Sequence, residues 1–84
     1  MVNLEIFPNP ASDHVSVSFD LLDDKNVSIK MLNVLGQSVK TISKQQLSNG
    51  HHDVQLQVND LSKGIYFLNV DIDGALTTKK VVVE

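Results

Sequence analysis

The sequence predicts an all-β protein, an antiparallel sandwich of about seven short strands. Two observations support this fold class. Apolar and polar residues alternate with a period of two along most of the chain, as in strands that bury one face. The core must be built mainly from Val, Leu and Ile, because only 5% of the residues are aromatic, and β-branched residues favour pleated surfaces. A chain of 84 residues builds one core, so we expect residues 1–84 to form a single domain.

The first three predicted strands lie in the first part of the chain. Residues 4–7 form the first strand, and two prolines, Pro8 and Pro10, follow it. Because proline has no amide donor, we expect both to lie at a strand end or a sheet edge. Residues 15–19 and 27–31 alternate apolar with polar side chains and predict the second and third strands.

The middle of the chain contains a second hairpin and a further strand. Gly36 separates the third strand from residues 37–42, and this pattern predicts a hairpin. Residues 43–47 are the one segment that tolerates a helix, and Ser48-Asn49-Gly50 closes it as a turn. Alternation returns at residues 54–58 and predicts another strand with one buried face.

The last two strands form a hairpin. Residues 65–72 predict a longer strand, with Ile65 and Phe67 making its beginning apolar on both sides, as in a central strand. Asp73-Gly74 is typical of a type I′ turn, so residues 76–83 should pair back as the last strand. The residues that we expect on the inner faces are Val15, Val17, Val27, Ile29, Val54, Leu56, Tyr66, Leu68 and Val70.

Charge and composition exclude several classes of function. The net charge is −3, and all seven cationic residues are Lys, so the chain has neither the basic field nor the bidentate side chains that nucleic-acid binding uses. The chain contains no Cys, which excludes disulfides and thiolate chemistry. No apolar stretch approaches the roughly 20 residues that span a bilayer, so we expect no membrane insertion. No signal peptide follows Met1, and we expect Met1 to be an added start ahead of an excised C-terminal domain.

Three clusters suggest a metal site, and each has a simpler explanation. In His51-His52-Asp53, adjacent strand side chains point to opposite faces and cannot share one ion, so we interpret them as solvated turn residues. Asp71-Ile72-Asp73-Gly74 is similar to the start of a calcium loop but lacks the later ligands. A surface cation site at Asp20, Asp23 and Asp24 is a weaker alternative to a hydrated loop. We therefore predict no metal and no cofactor.

The sequence gives no support for catalysis. No Gly-x-Ser-x-Gly elbow occurs in the chain, and no His is placed convincingly as a base. Paired carboxylates for glycoside hydrolysis are not ruled out by spacing, but a domain of this size has little room for a substrate cleft. We therefore predict that this domain is not an enzyme.

Four segments, in order, are similar to the motifs of one known family of domains. The opening motif is matched by Phe7-Pro8-Asn9-Pro10-Ala11-Ser12-Asp13, and the central hairpin by Val34-Leu35-Gly36-Gln37-Ser38-Val39. The Leu-x-x-Gly-x-Tyr element is matched by Leu61-Ser62-Lys63-Gly64-Ile65-Tyr66-Phe67, and the closing strand by Thr78-Lys79-Lys80-Val81-Val82-Val83. Each motif alone is weak, but together they span nearly the whole chain, which resembles the type A sorting domain of the type IX secretion system of Bacteroidota.

The resemblance implies an Ig-like β-sandwich that acts as a C-terminal secretion signal. It implies a passenger fused on the N-terminal side, recognition of the folded domain in the periplasm by the outer-membrane type IX machinery, and removal at the cell surface by a sortase-like peptidase. It further implies that the passenger then stays on the outer-membrane surface or is released.

The resemblance also suggests roles for individual residues. A terminal strand can present backbone groups and alternate side chains to a partner, so we expect the machinery to recognise Lys79, Lys80, Val81, Val82 and Val83. For the two lysines, a solvated edge protected by charge is an equal alternative. Structural roles in turns and core packing are favoured for Pro8, Asn9, Pro10, Gly36, Gly64 and Tyr66.

Two alternatives remain open at this point. The chain could be an Ig-like, fibronectin-like or carbohydrate-binding module of an extracellular enzyme, although it has no Trp and only one Tyr for a glycan platform. It could also be a passive spacer, in which case further domains would follow Glu84.

Overall fold

Seven β-strands account for nearly all the regular structure of the chain. The computed structural model describes residues 2–84; Met1, expected to be an added start, lies outside the described residues. Residues 2–84 contain no helix, and hence none long and apolar enough to cross a membrane. The strands are β1 (Val2–Phe7), β2 (His14–Leu21), β3 (Lys25–Leu32), β4 (Ser38–Leu47), β5 (Gly50–Gln57), β6 (Gly64–Ile72) and β7 (Ala75–Val83).

The strands form two antiparallel sheets, and the all-β sandwich prediction is confirmed. The first sheet has the order β1-β2-β5, and the second has the order β4-β3-β6-β7. In constant-type immunoglobulin domains the fourth strand joins the sheet of the first two strands. Here β4 pairs with β3 instead, so the second sheet has four strands and ends at β7.

The core lies between the two sheets and contains the residues that alternation predicted. Eight of the nine expected inner-face residues are buried, and Val54 is partly buried against them. Ala11, Phe19, Met31, Val58, Val81 and Val83 complete most of the remaining core. The Asp73-Gly74 turn is also confirmed, because both residues have positive φ, 50° and 88°, as a type I′ turn requires.

The structure adds to or corrects the sequence analysis at three places. Residues 43–47 continue strand β4 and are not helical, because pairing with β3 overrides a weak local preference. His51 and His52 lie in strand β5 and not in a turn. Ile65 and Phe67 do lie in a central strand, but among the described strands none covers their face of the sheet, and Ile65 is 45% exposed.

Candidate functional site

The C-terminal half of β7 is held from both sides by segments that are distant in sequence. On one side β6 pairs with it, so that Gly64 lies opposite Val83 and Tyr66 lies opposite Val81. On the other side residues 9–11 run along its outer edge. The opening, Leu-x-x-Gly-x-Tyr and closing motifs therefore meet at one corner of the sandwich.

The side chain of Asn9 takes the place of a neighbouring strand. Its Nδ2 donates to the carbonyl oxygen of Lys80 at 3.0 Å, and its Oδ1 accepts from the backbone N–H of Val82 at 3.0 Å. Alternate residues of an antiparallel strand bond to alternate sides, and these two groups face away from β6. An amide side chain suits this arrangement because it carries a donor and an acceptor on two separate atoms.

Ala11 extends this edge by one parallel bridge. Its N–H donates to the carbonyl oxygen of Val82 at 2.8 Å, and its own carbonyl accepts from the N–H of Glu84 at 2.8 Å. Ala11 is fully buried, so its methyl group belongs to the core. Pro8 and Pro10 are exposed on either side of Asn9, which agrees with the predicted edge location of residues that lack an amide donor.

The structure separates the five residues expected to be recognised. Lys79 and Lys80 are both exposed, and Val82 is half-buried. Val81 and Val83 are 0% and 3% exposed and belong to the core. Of these five side chains, the folded domain therefore exposes the two lysines and part of Val82, while Val81 and Val83 hold the strand in place.

Lys79 is exposed for a reason specific to an edge strand. By alternation it shares the inward side of β7 with Val81 and Val83, yet its side chain reaches solvent. A lysine on the inward side of an edge strand opposes pairing with a foreign strand. This placement agrees with the alternative that the charge protects the edge.

Tyr66 and Gly64 shape the corner at the start of β6. The Tyr66 ring is 7% exposed, and its hydroxyl donates to the carbonyl oxygen of Ser62 at 2.7 Å. A tyrosine whose hydroxyl donates a hydrogen bond to the backbone a few residues upstream is a recurrent feature of Ig-like sandwiches. Gly64 has φ 153°, and an added Cβ would meet nothing within 4 Å. Its role is thus backbone conformation and not space.

The loop of the central hairpin is organised around Asn33. Its Oδ1 accepts from the N–H groups of Leu35 and Gln37, both at 3.0 Å, and Gly36 has φ 81°. These backbone N–H groups of the loop are bonded to Asn33, while the side chains of Val34 and Leu35 are 69% and 79% exposed. The positive φ of Gly36 is one that glycine adopts readily.

A second polar cluster lies on the outer face of the three-stranded sheet. His51 Nδ1 is 2.7 Å from Asp20 Oδ1, and its Nε2 is 3.1 Å from Asp53 Oδ1 and 3.2 Å from Ser18 Oγ. The hydrogen bond to Asp20 raises the pKa of His51. The pKa of Asp20 is lowered by hydrogen bonds from Asn3 and His51.

This cluster resembles a Ser-His-Asp arrangement, but its chemistry differs from that of a triad. A carboxylate at each ring nitrogen favours the imidazolium, which cannot accept a proton from Ser18. Ser18 is only 8% exposed on β2, whose amides are engaged in ladders on both sides. Amides that are paired in these ladders are not available to stabilise an oxyanion. The cluster joins β2 to β5 as a salt-bridge network.

Three of the other suspected metal ligands accept hydrogen bonds from backbone N–H groups. Asp71 accepts from the N–H of Gly74 at 2.8 Å, Asp73 from that of Asn26 at 3.0 Å, and Asp24 from that of Asn49 at 2.9 Å. His52 points to the face opposite His51 and lies against Phe19, with ring centroids 5.8 Å apart. In the part of the chain that the structure describes, no three His, Cys, Asp or Glu side chains are arranged to hold a metal ion.

Sequence reasoning missed two features of this corner. The double contact of Asn9 with β7 has no periodic signal, because it is made by one side chain outside a strand. The exposure of Ile65 and Phe67 did have a signal, since Asn69 and Asp71 follow on the same face of β6. A face that carries Asn and Asp is a solvent face.

The comparisons with known proteins concern nearly the whole chain. A family model described as a secretion system C-terminal sorting domain matches residues 5–84. No curated protein matches the chain at a significant level. The matched region includes all four sequence motifs and every residue of the corner described above.

Proposed function

The chain belongs to the family of secretion system C-terminal sorting domains, and from this membership we propose how its folded surface serves type IX secretion. The domain is a C-terminal sorting signal for that system. It works with the type IX machinery on a passenger fused at its N-terminal side, which is exported across the outer membrane to the surface or the medium. A sorting domain is not itself catalytic.

We propose that the machinery recognises the folded domain in the periplasm through Lys79 and Lys80. The observation that carries this proposal is their exposure beside a strand end whose own backbone is already bonded to Asn9 and Ala11. Because the backbone groups at this edge of β7 are already bonded, a partner can contact only the side chains of this part of the strand. In the same proposal a sortase-like peptidase removes the domain after export, and the passenger is anchored or released.

A glycan-binding role is not favoured. Such a face needs exposed aromatic platforms, and the chain has four aromatic residues. Phe19 and Tyr66 are 0% and 7% exposed, so half of the aromatic residues belong to the core.

The test is a double charge reversal, Lys79→Glu with Lys80→Glu, in a fusion of a signal peptide, a fluorescent passenger and this domain. At exposed positions the exchange should cost about 0 to 1 kcal/mol of stability, so circular dichroism should show a folded domain. In a type IX-competent host we expect the passenger to be retained in the periplasm, whereas the wild-type fusion is exported.

The matched control reverses two other lysines, Lys25→Glu with Lys44→Glu, which changes the net charge equally. Lys25 forms a loose surface pair with Asp73, in which Nζ and Oδ2 are 3.8 Å apart and the side chains are 36% and 42% exposed. Lys44 is exposed on β4. This control should be exported normally. Normal export of the folded Lys79→Glu, Lys80→Glu variant would remove the two lysines from the recognition site.

A further inference from the structure

The outer face of the four-stranded sheet carries an apolar patch at the corner where the motifs meet. Leu32 of β3 lies opposite Phe67 of β6, and Ile65 of β6 lies opposite Val82 of β7. Two registered pairs across three strands make these side chains neighbours. We call Leu32, Ile65, Phe67 and Val82 the outer apolar patch.

Beyond the patch this face is polar along β3 and β6, and Leu76 at the far end of β7 is a separate exposed apolar side chain. Ser28, Lys30, Asn69 and Asp71 occupy the same face further along β3 and β6. Ile65 is 45% exposed, the other three members are half-buried, and none of the strands formed by residues 2–84 packs over them as a second layer. Exposed apolar groups that cluster mark an interaction surface, whereas single ones do not.

Two lysines that form no salt bridge within residues 2–84 border the outer apolar patch. Lys80 lies opposite Phe67, and Lys30 lies opposite Asn69, the next outer-face position of β6. Neither lysine forms a salt bridge within residues 2–84, where the carboxylates that do so are Asp20, Asp53, Asp60 and Asp73. A local cationic border on a chain of net charge −3 calls for acidic groups on a partner.

We propose that the outer apolar patch is the docking surface for the type IX machinery, and that the partner presents apolar side chains bordered by carboxylates. This inference rests on the proposed sorting function and specifies which face serves it. It differs from strand addition at β7, because Asn9 and Ala11 already occupy the edge groups of Lys80, Val82 and Glu84. The face of the sheet, and not its edge, is what remains open at this corner.

The experiment compares Ile65→Glu with Leu76→Glu in the same fluorescent fusion. Leu76 is 60% exposed and lies on the same face of the same sheet, at the opposite end of β7, so it is a matched control. A carboxylate buried against apolar partner groups is heavily disfavoured. Ile65→Glu should therefore reduce the exported fraction at least about tenfold, while Leu76→Glu is exported as the wild type is.

A gentler variant covers the case in which Ile65→Glu does not fold. Ile65→Thr combined with Val82→Thr keeps β-branched shapes in the strands and removes only apolar character. With circular dichroism showing a folded domain, a lower exported fraction for this variant supports the proposal. Export at the wild-type level of either folded variant overturns it, and so does equal retention of Leu76→Glu.

The two levels of the proposal fail differently. If the wild-type fusion is not exported by the competent host, or is exported equally by a host without the translocon, the sorting function itself is wrong for this chain. If export of the wild-type fusion requires the translocon, but the folded patch variants are exported equally well, the sorting function is supported and the proposed docking face is wrong.

Discussion

Replacing Asn9 with Ala should loosen the end of β7 from its outer side. The substitution removes the hydrogen bond to the carbonyl of Lys80 and the one from the N–H of Val82, both 3.0 Å long. A net contribution of about 0.5 to 1.5 kcal/mol per hydrogen bond is usual. Since Asn9 is exposed and water can replace part of each bond, we expect a loss of about 1 to 2 kcal/mol in the free energy of unfolding.

The assay has a global and a local readout. For a domain of this size the loss corresponds to a fall in Tm of about 4 to 16 °C, measured by circular dichroism. Hydrogen exchange should show faster exchange of the Val82 amide, which depends on Asn9, while the Val81 and Val83 amides stay protected by β6. Within residues 2–84 the side chain of Asn26 makes no hydrogen bond, so Asn26→Ala is the matched control and should melt close to the wild type.

The result that refutes the reasoning is specific. If Asn9→Ala melts with the wild type and the Val82 amide exchanges at an unchanged rate, the side chain does not act as a strand partner. A fall in Tm with uniformly faster exchange at all β7 amides would instead show that the whole strand detaches together.

Three further predictions concern other parts of the fold. Tyr66→Phe removes the hydrogen bond to the carbonyl oxygen of Ser62 and should lower the free energy of unfolding by about 0.5 to 1.5 kcal/mol, measured by urea unfolding. An unchanged free energy of unfolding would show that this hydrogen bond does not stabilise the corner. Gly64→Val places a side chain at φ 153° and should cost about 1 to 3 kcal/mol from strain alone, so a melting curve that overlays the wild type would contradict it. The folded-state pKa of His51 is raised by Asp20, so its stabilisation is complete below the unfolded pKa near 6.5 and is lost as pH rises through the folded pKa. The Tm difference between wild type and His51→Gln should therefore be larger at about pH 5 than at about pH 9; a difference independent of pH would exclude a charged His51.

Alternation in the sequence was sufficient to predict the strands and most of the core. A side-chain period of two fixes which residues of a strand share a face, and one apolar set per strand must be buried. Val15, Val17, Leu68 and Val70 are fully buried for this reason. The Asp73-Gly74 turn was predictable because positive φ at two successive residues selects for such a pair.

Local patterns were not sufficient where tertiary contacts decide the outcome. Residues 43–47 have no strong preference of their own, and pairing with β3 makes them a strand. Ile65 and Phe67 looked like residues of a strand buried on both faces, but periodicity does not reveal whether a second layer covers the outer face.

The sequence by itself determined the fold class, the faces of the strands and the family, because these depend on patterns within short segments and on the order of the motifs. Only the tertiary structure decided which segments are neighbours. Asn9 bonds to residues 71 and 73 positions away, and the pairing of β3, β6 and β7 assembles the outer apolar patch from three separate segments. Local periodicity determines the face of the sheet on which a side chain lies, but the chain topology determines which segments pack against that face.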